Sequence, residues 1–130
     1  MKGERVVCPV DVTLNLINKK WCIQIIRDMF FGKKHFNEFK EDKPNLSNKV
    51  LSNCLKELEE KGLIEKLVLN TTPVTTEYCL TEYGKSMNRI VYELAMFTLY
   101  DENDNTYSDE TRNELKNMFN NINESKEALK

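Results

Sequence analysis

The segment from Leu46 to Leu80 constrains the fold more than any other part of this chain. Leu46-Ser47 places a hydrophobic residue and an N-cap hydroxyl ahead of a helix over residues 48–61, and Gly62 stands where a C-terminal glycine is expected. Beyond that glycine, residues 63–69 alternate weakly and are rich in branched side chains, and residues 77–80 are similar. Asn70-Thr71-Thr72-Pro73 between them is turn chemistry, so the two runs read as a hairpin with a loop.

Three shorter helices are expected upstream. Pro9 suits the first position of one that runs through Val12, Leu14, Leu16 and Ile17. Trp21, Cys22, Ile25, Ile26 and Met29 recur at helical spacing in a second, over about residues 20–30. Gly32 breaks the chain, and Phe36-Asn37-Glu38-Phe39 opens a short third helix that Pro44 ends. Downstream, Thr81 caps a long helix over residues 82–100, residues 101–107 form a polar linker, and Ser108 caps a last, mostly polar helix from Asp109 to about Asn121 or beyond. Three helices followed by a two-stranded hairpin are the order that a winged helix-turn-helix requires. The fold class is α+β, mainly α, with the hairpin as wing and extra C-terminal helices for dimerisation. In such a fold the second of two angled helices is presented to the major groove, and the wing reaches the adjacent backbone.

The residues of the 48–61 helix agree with that role. At 100° per residue, Val50, Leu51, Cys54, Leu55 and Leu58 share one side, while Lys49, Ser52, Asn53 and Lys56 share the other. Cations, an amide and a hydroxyl can bond base edges and phosphates, and no carboxylate interrupts them. Glu57, Glu59 and Glu60 come in the last turns, which would point away from a groove entered N-terminus first. The candidate DNA-binding set is Ser47, Asn48, Lys49, Ser52, Asn53 and Lys56, with Lys66 and Thr75 from the wing. Lys33, Lys34 and His35 are candidates for a further backbone contact. A solvated helix face would be built from the same residue types.

Charge and composition bound the alternatives. The 130 residues suffice for one domain with a short appendage. Net charge is −2, but residues 1–100 carry 15 Lys and Arg against 13 Asp and Glu, while residues 101–130 carry 4 against 8. The main domain is therefore mildly basic, net +2, and the tail acidic, net −4. Affinity for phosphate must come from local placement rather than from the overall field. The N-terminal residues carry charges at Lys2, Glu4 and Arg5, and no apolar run approaches the roughly 20 residues of a membrane span, so a cytoplasmic location without membrane contact is expected. Cys8, Cys22, Cys54 and Cys79 lie far apart, and His35 is the only histidine, a pattern that argues against a zinc site or a disulfide framework. No cofactor, metal or catalytic constellation is expected: the chain has four glycines, no phosphate-cradling loop and no carboxylate pair in a plausible cleft.

Motifs in order carry a family resemblance. Cys8-Pro9-Val10, Lys20-Trp21, Gly32 followed by Phe36-Asn37-Glu38-Phe39, and Leu46-Ser47 resemble the HxlR family of transcriptional regulators. So do Val50-Leu51, Leu55-Lys56-Glu57-Leu58-Glu59, Gly62-Leu63-Ile64 and Glu77-Tyr78-Cys79-Leu80-Thr81-Glu82-Tyr83-Gly84. The resemblance covers residues 8 to about 100, taken as the DNA-binding domain with its dimerisation helices, and leaves 101–130 as an acidic, largely helical extension. It implies a homodimeric, MarR-like, prokaryotic winged-helix DNA binder with its recognition helix at 48–61 and its wing between Leu69 and Glu77. Three positions depart from the family pattern: Thr75 and Lys49 stand where arginine is common, and Asn18-Lys19 where glycines are usual. Lysine lacks the bidentate grip of arginine on guanine, so base preference is affected more than fold.

The 82–100 helix carries Met87, Ile90, Val91, Leu94, Ala95, Phe97, Thr98 and Leu99, a wider apolar surface than one small domain needs. A two-fold interface through Val12, Leu16, Ile90, Val91, Leu94 and Phe97 would cover it, as the resemblance also implies. The alternative cover is the chain's own 109–121 helix. Cys8, at a helix N-terminus whose dipole favours the thiolate, is the candidate redox sensor, a use that some HxlR-type regulators make of this Cys-Pro step. An inert, partly buried thiol is the alternative. Packing accounts for Cys22, Cys54 and Cys79. The expected partners are double-stranded DNA, a second copy of the chain, and an oxidant or small-molecule effector. The competing function is a winged helix that binds protein, which a pI of 5.5 would suit.

Overall fold

The computed structural model describes residues 6–128, with side chains through Asn123. The charged N-terminal residues Lys2, Glu4 and Arg5 and the last two residues of the 101–130 extension lie outside the described residues. The elements follow the expected order: α1 (Pro9–Leu16), α2 (Cys22–Phe30), α3 (Phe36–Lys40), α4 (Asn48–Glu60), β1 (Ile64–Leu69), β2 (Thr75–Leu80), α5 (Glu82–Lys85), α6 (Asn88–Leu99) and α7 (Asp109–Ala128). The two strands pair antiparallel from Ile64 opposite Leu80 to Leu69 opposite Thr75, so β2 begins two residues earlier than its sequence pattern indicated. The architecture is that of a winged helix.

The core forms where α2 and α4 cross. Cys22, Ile25 and Ile26 of α2 meet Leu51, Leu55 and Leu58 of α4, with Phe39 of α3 and Leu63 and Ile64 closing the sides. Burying side chains of this size contributes roughly 1.5–3 kcal/mol each. The α3–α4 turn is held from below by a buried ion pair in which the Lys43 ammonium meets Asp28 of α2, whose other carboxylate oxygen accepts from Arg27 at 3.0 Å. Helix α4 closes in a Schellman arrangement: Leu63 N donates to Leu58 O (3.0 Å), Gly62 N donates to Glu59 O (3.0 Å), and Gly62 takes φ +79.

The base of the wing is knotted to the helix that follows it. Thr81 donates from Oγ1 to Gly62 O at 2.6 Å and from its amide to Leu63 O at 3.1 Å, while Oγ1 also accepts from Gly84 N at 3.0 Å. Gly84 lies so close that a Cβ there would sit 2.0 Å from Leu63 O. This contact corrects one expectation. The long helix over 82–100 is broken into α5 and α6, because the backbone turns at Ser86 and Met87 to keep Gly84 on the wing and to bury Met87 and Asn88. Ser86 assists by donating from Oγ to Glu82 O at 3.1 Å, a back-bond that bends helices.

Helix α7 packs along α6 and is pinned by Arg112. Its guanidinium donates to Leu99 O (2.8 Å), Thr98 O (3.2 Å), Asp104 O (3.0 Å) and Asp104 Oδ2 (2.8 Å), so one side chain caps the end of α6 and ties down the linker. Phe119 of α7 meets Phe31 edge-on at 5.2 Å.

The close approach at Gly84 yields a stability prediction. Gly84→Ala forces a methyl group against a backbone carbonyl that cannot retreat, and the variant should lose about 2–3 kcal/mol, read as a lower urea midpoint at unchanged slope.

Candidate nucleic-acid interface

Helix α4 is placed by its caps and its apolar side. Ser47 Oγ accepts from Val50 N at 3.1 Å, starting the helix at Asn48. Leu51, Cys54, Leu55 and Leu58 are buried, which turns Lys49, Ser52, Asn53 and Lys56 into solvent. Val50 is the exception to the expected apolar side. It lies roughly 90° from the centre of the buried arc and is 39% exposed.

Most neighbouring cations are already engaged, and three are not. Lys19 pairs with Glu57, Lys34 with Glu77 (3.2 Å), Lys33 with Glu41 (3.9 Å) and Lys43 with Asp28. Lys40 bonds Asn48 Oδ1, so Asn48 is partly committed. Lys49, Lys56 and Lys66 form no ion pair among the described residues. Lys56 and Lys66 come together with Ser52 in a cleft of about 320 Å³ between α4 and the wing, walled by Tyr78. Glu59 also lines it, which corrects the expectation that the α4 carboxylates would all point away. The signal was available: Glu59 is three residues past Lys56 and seven past Ser52, hence on the same face.

The rest of the wing contributes little charge. Thr75 sits at the exposed tip, away from that cleft, with its Oγ1 3.2 Å from Thr71 Oγ1. Residues 67–76 contain no ionisable side chain, and Val68 and Val74 of this stretch are exposed. Lys34 and His35 instead brace the wing: Lys34 O accepts from Tyr78 N at 2.8 Å, and His35 Nδ1 lies 3.2 Å from Thr76 O. Glu38 completes the brace by accepting from the amides of His35 (2.8 Å) and Lys34 (3.1 Å).

A second surface is apolar. Phe97 is 85% exposed and Leu94 56%, and Val12 is exposed on α1. Leu16 and Ile90 are half-buried against the core of their own chain. Val91 is a correction: at 3% exposure it belongs to that core and is not free to meet a partner. The chain's own α7 thus covers part of the wide apolar surface of α6, and Leu94 and Phe97 stay outside. Tyr100, also exposed, lies under the Lys116 ammonium at 4.2 Å.

Among the cysteines, Cys8 is exposed at the N-cap of α1, followed by Pro9 at the first helical position. Cys22 and Cys54 are buried side by side, and burial pushes the Cys54 thiol up to about 11, with the Cys22 thiol adding to the shift. Cys79 is half-buried. No group of three or more metal-ligating side chains is found among the described residues. No helix there is long and apolar enough to cross a membrane.

Residues 16–105, most of the chain, match the HxlR-like helix-turn-helix family. The chain belongs to that family. This HxlR-type chain is 38% identical over 87 residues to the HTH-type transcriptional regulator YybR of Bacillus subtilis (strain 168), covering 67% of this chain and 70% of that protein. It is 37% identical over 89 residues to the HTH-type transcriptional regulator YodB of the same organism, covering 68% of this chain and 80% of YodB. The oxidised form of the redox regulator HypR superposes with a TM-score of 0.68 at 34% identity, over 75% of this chain and all 100% of HypR. The HxlR-type chain is accordingly a transcriptional regulator with a MarR-like winged helix.

Three carboxylates, one in the wing brace, one on α4 and one in the 101–107 linker, set the acid limit of the fold. Hydrogen bonds from the Lys34 and His35 amides lower the Glu38 pKa, the Lys19 ammonium lowers that of Glu57, and Thr106 with Arg112 lowers that of Asp104. A carboxylate whose folded pKa lies below its unfolded value stabilises the fold above the unfolded pKa, and that contribution disappears as pH falls through the folded one. Stability should therefore decline as pH drops below about 4, the ordinary carboxylate range. Glu38→Gln should flatten that decline in urea titrations at pH 3–5, and an unaltered acid limb would remove Glu38 from the account.

Proposed function

We propose that this chain is a homodimeric, sequence-specific DNA-binding transcriptional regulator that works without catalysis in a prokaryotic cytoplasm. Residues 8–100 provide the DNA-binding and dimerisation unit, and residues 101–130 the acidic extension. The observation that carries the reading is the placement of Lys49, Lys56 and Lys66, cations without carboxylate partners, on and beside the outward face of α4. Ser47, Asn48, Ser52 and Asn53 add donors and acceptors suited to base edges and phosphates, and Thr75 brings a hydroxyl to the wing tip. The dimer rests on the exposed Leu94 and Phe97 with Val12 and the rims of Leu16 and Ile90, which leaves two α4 helices to read half-sites about 34 Å apart.

DNA retardation across a salt series tests this reading. The logarithm of affinity should fall steeply with the logarithm of salt, and Lys49→Ala and Lys56→Ala should each weaken binding about tenfold and lower the salt slope by about 1. Glu59→Gln should tighten binding by removing the carboxylate that lines the cleft beside Lys56 and Lys66. Phe97→Asp should shift the chain to monomer in sedimentation. A second reading, a winged helix that binds protein, draws on the uncharged wing tip with its exposed Val68 and Val74. It expects salt-insensitive behaviour and no effect of the lysine variants.

Cys8 is the candidate sensor. Its thiol is exposed, whereas Cys22 and Cys54 are buried, and HypR is a redox regulator by name. Oxidation by diamide would join two Cys8 thiols across the dimer as a disulfide while the diazene takes up both protons and electrons. Diamide should weaken DNA retardation by the wild-type protein and leave Cys8→Ser unaffected; an equal response in both ends the assignment.

A further inference from the structure

Helix α1 is held to its own chain at one end. None of its residues is buried, and Val10, Val12 and Leu14 are more than half exposed. Leu16 and Ile17, at its C-terminal end, are the residues that pack against the core. The polar contacts lie at that same end, and they come from the last turn of α4. Lys61, the C-cap residue of α4, donates from Nζ to Asn15 O (2.9 Å) and to Leu16 O (3.3 Å), the terminal carbonyls of α1. Glu57, one turn earlier on the same side of α4, takes the Lys19 ammonium. Lys19 O in turn accepts from Cys22 N at 3.1 Å, at the start of α2.

The segment 15–19 is thus clamped by two side chains of α4. Lys19, and more weakly Lys61, lowers the Glu57 pKa, so the three charges act as one cluster. Lys19 also stands where glycine is usual in the family, so its half of the clamp is not part of the shared pattern. Neither contact is a large source of stability, because exposed ion pairs and hydrogen bonds that water can replace are weak. What they fix is direction. The eight residues of α1 span about 12 Å. A swing of about 15° at its last turn would move its first residue about 3 Å, close to the rise of one base pair, about 3.4 Å.

We propose that Lys61 and Glu57 are positioning residues that set the angle between α1, the dimer arm, and α4, the reading helix, and through it the half-site separation that a dimer accepts. A two-fold axis applies the same angular error to both α4 helices, so their separation changes by the sum. The consequence for DNA rests on the homodimeric regulator reading above, whereas the clamp itself does not.

Pulsed electron–electron resonance tests the clamp within one chain. Nitroxides on Val10→Cys and Asn53→Cys, in a Cys8→Ser and Cys79→Ser background, report the distance from α1 to α4 when labelled chains are diluted in a large excess of unlabelled ones. The parent should give one narrow distance. Lys61→Met combined with Glu57→Gln should broaden the distribution by about 3 Å or more while thermal unfolding stays cooperative, and Lys61→Arg alone, still a donor to both carbonyls, should keep it narrow. For DNA, sites selected by the wild-type chain from a random library are remade with one base pair added or removed between half-sites. The wild-type chain should lose about tenfold or more in affinity on either change, and the Lys61→Met/Glu57→Gln chain about threefold or less, with the same bases preferred within each half-site. A broad distribution in the parent, an equally narrow one in the double variant, or an unaltered spacing penalty in that variant overturns the proposal. A distribution that broadens as expected in a chain that selects no DNA would leave the clamp standing and remove the regulator reading instead.

Discussion

Everything the surface of this protein presents depends on how α4 is seated. Leu51, Cys54, Leu55 and Leu58 sink into the groove made by Cys22, Ile25 and Ile26, and that one contact decides which side of the helix meets solvent. An apolar stripe of this kind leaves little rotational freedom, since turning the helix would expose several large side chains at roughly 1.5–3 kcal/mol each. The buried Asp28–Lys43 pair acts on the same helix from its N-terminal end. Buried ion pairs add little net stability, but they tolerate few alternative geometries, and this one joins α2 to the turn that leads into α4.

The electrostatics follow from that seating. A chain of net charge −2 makes a poor polyanion binder on average, yet much of its positive charge is spent internally. Lys19, Lys34, Lys43 and Arg112 each neutralise a carboxylate within the fold. What stays outside is a small group of lysines on α4 and the adjacent strand, of which Lys49 stands in the first turn of α4, where the helix dipole also favours anions. Local arrangement, not total charge, decides the potential that a ligand meets.

The C-terminal extension is part of the body of the protein. Arg112 binds the last carbonyls of α6 and the linker at once, Phe119 reaches Phe31 beyond α2, and Asn123 accepts from Asn88 at 3.3 Å. These contacts divide the α6 surface: one flank is covered by α7, and Leu94 and Phe97 are left for another occupant.

Local signals in the sequence determined the caps of α4, the order of helices and hairpin, the polar stripe of Lys49, Ser52, Asn53 and Lys56, and the four buried positions opposite it, because each depends on neighbours within one or two turns. Only the tertiary structure decided matters that hinge on distant contacts. The break between α5 and α6 follows from Gly84 pressing on the Leu63 carbonyl. The burial of Val91 follows from packing around its helix, and the exposure of Val50 from the width of the groove that receives α4. Glu59 joins Lys56 and Lys66 because the wing folds back over the last turns of α4, and Lys34 becomes a wing brace through a hydrogen bond to Tyr78. Periodicity can say which residues share a side, but which sides meet is a property of the assembled core.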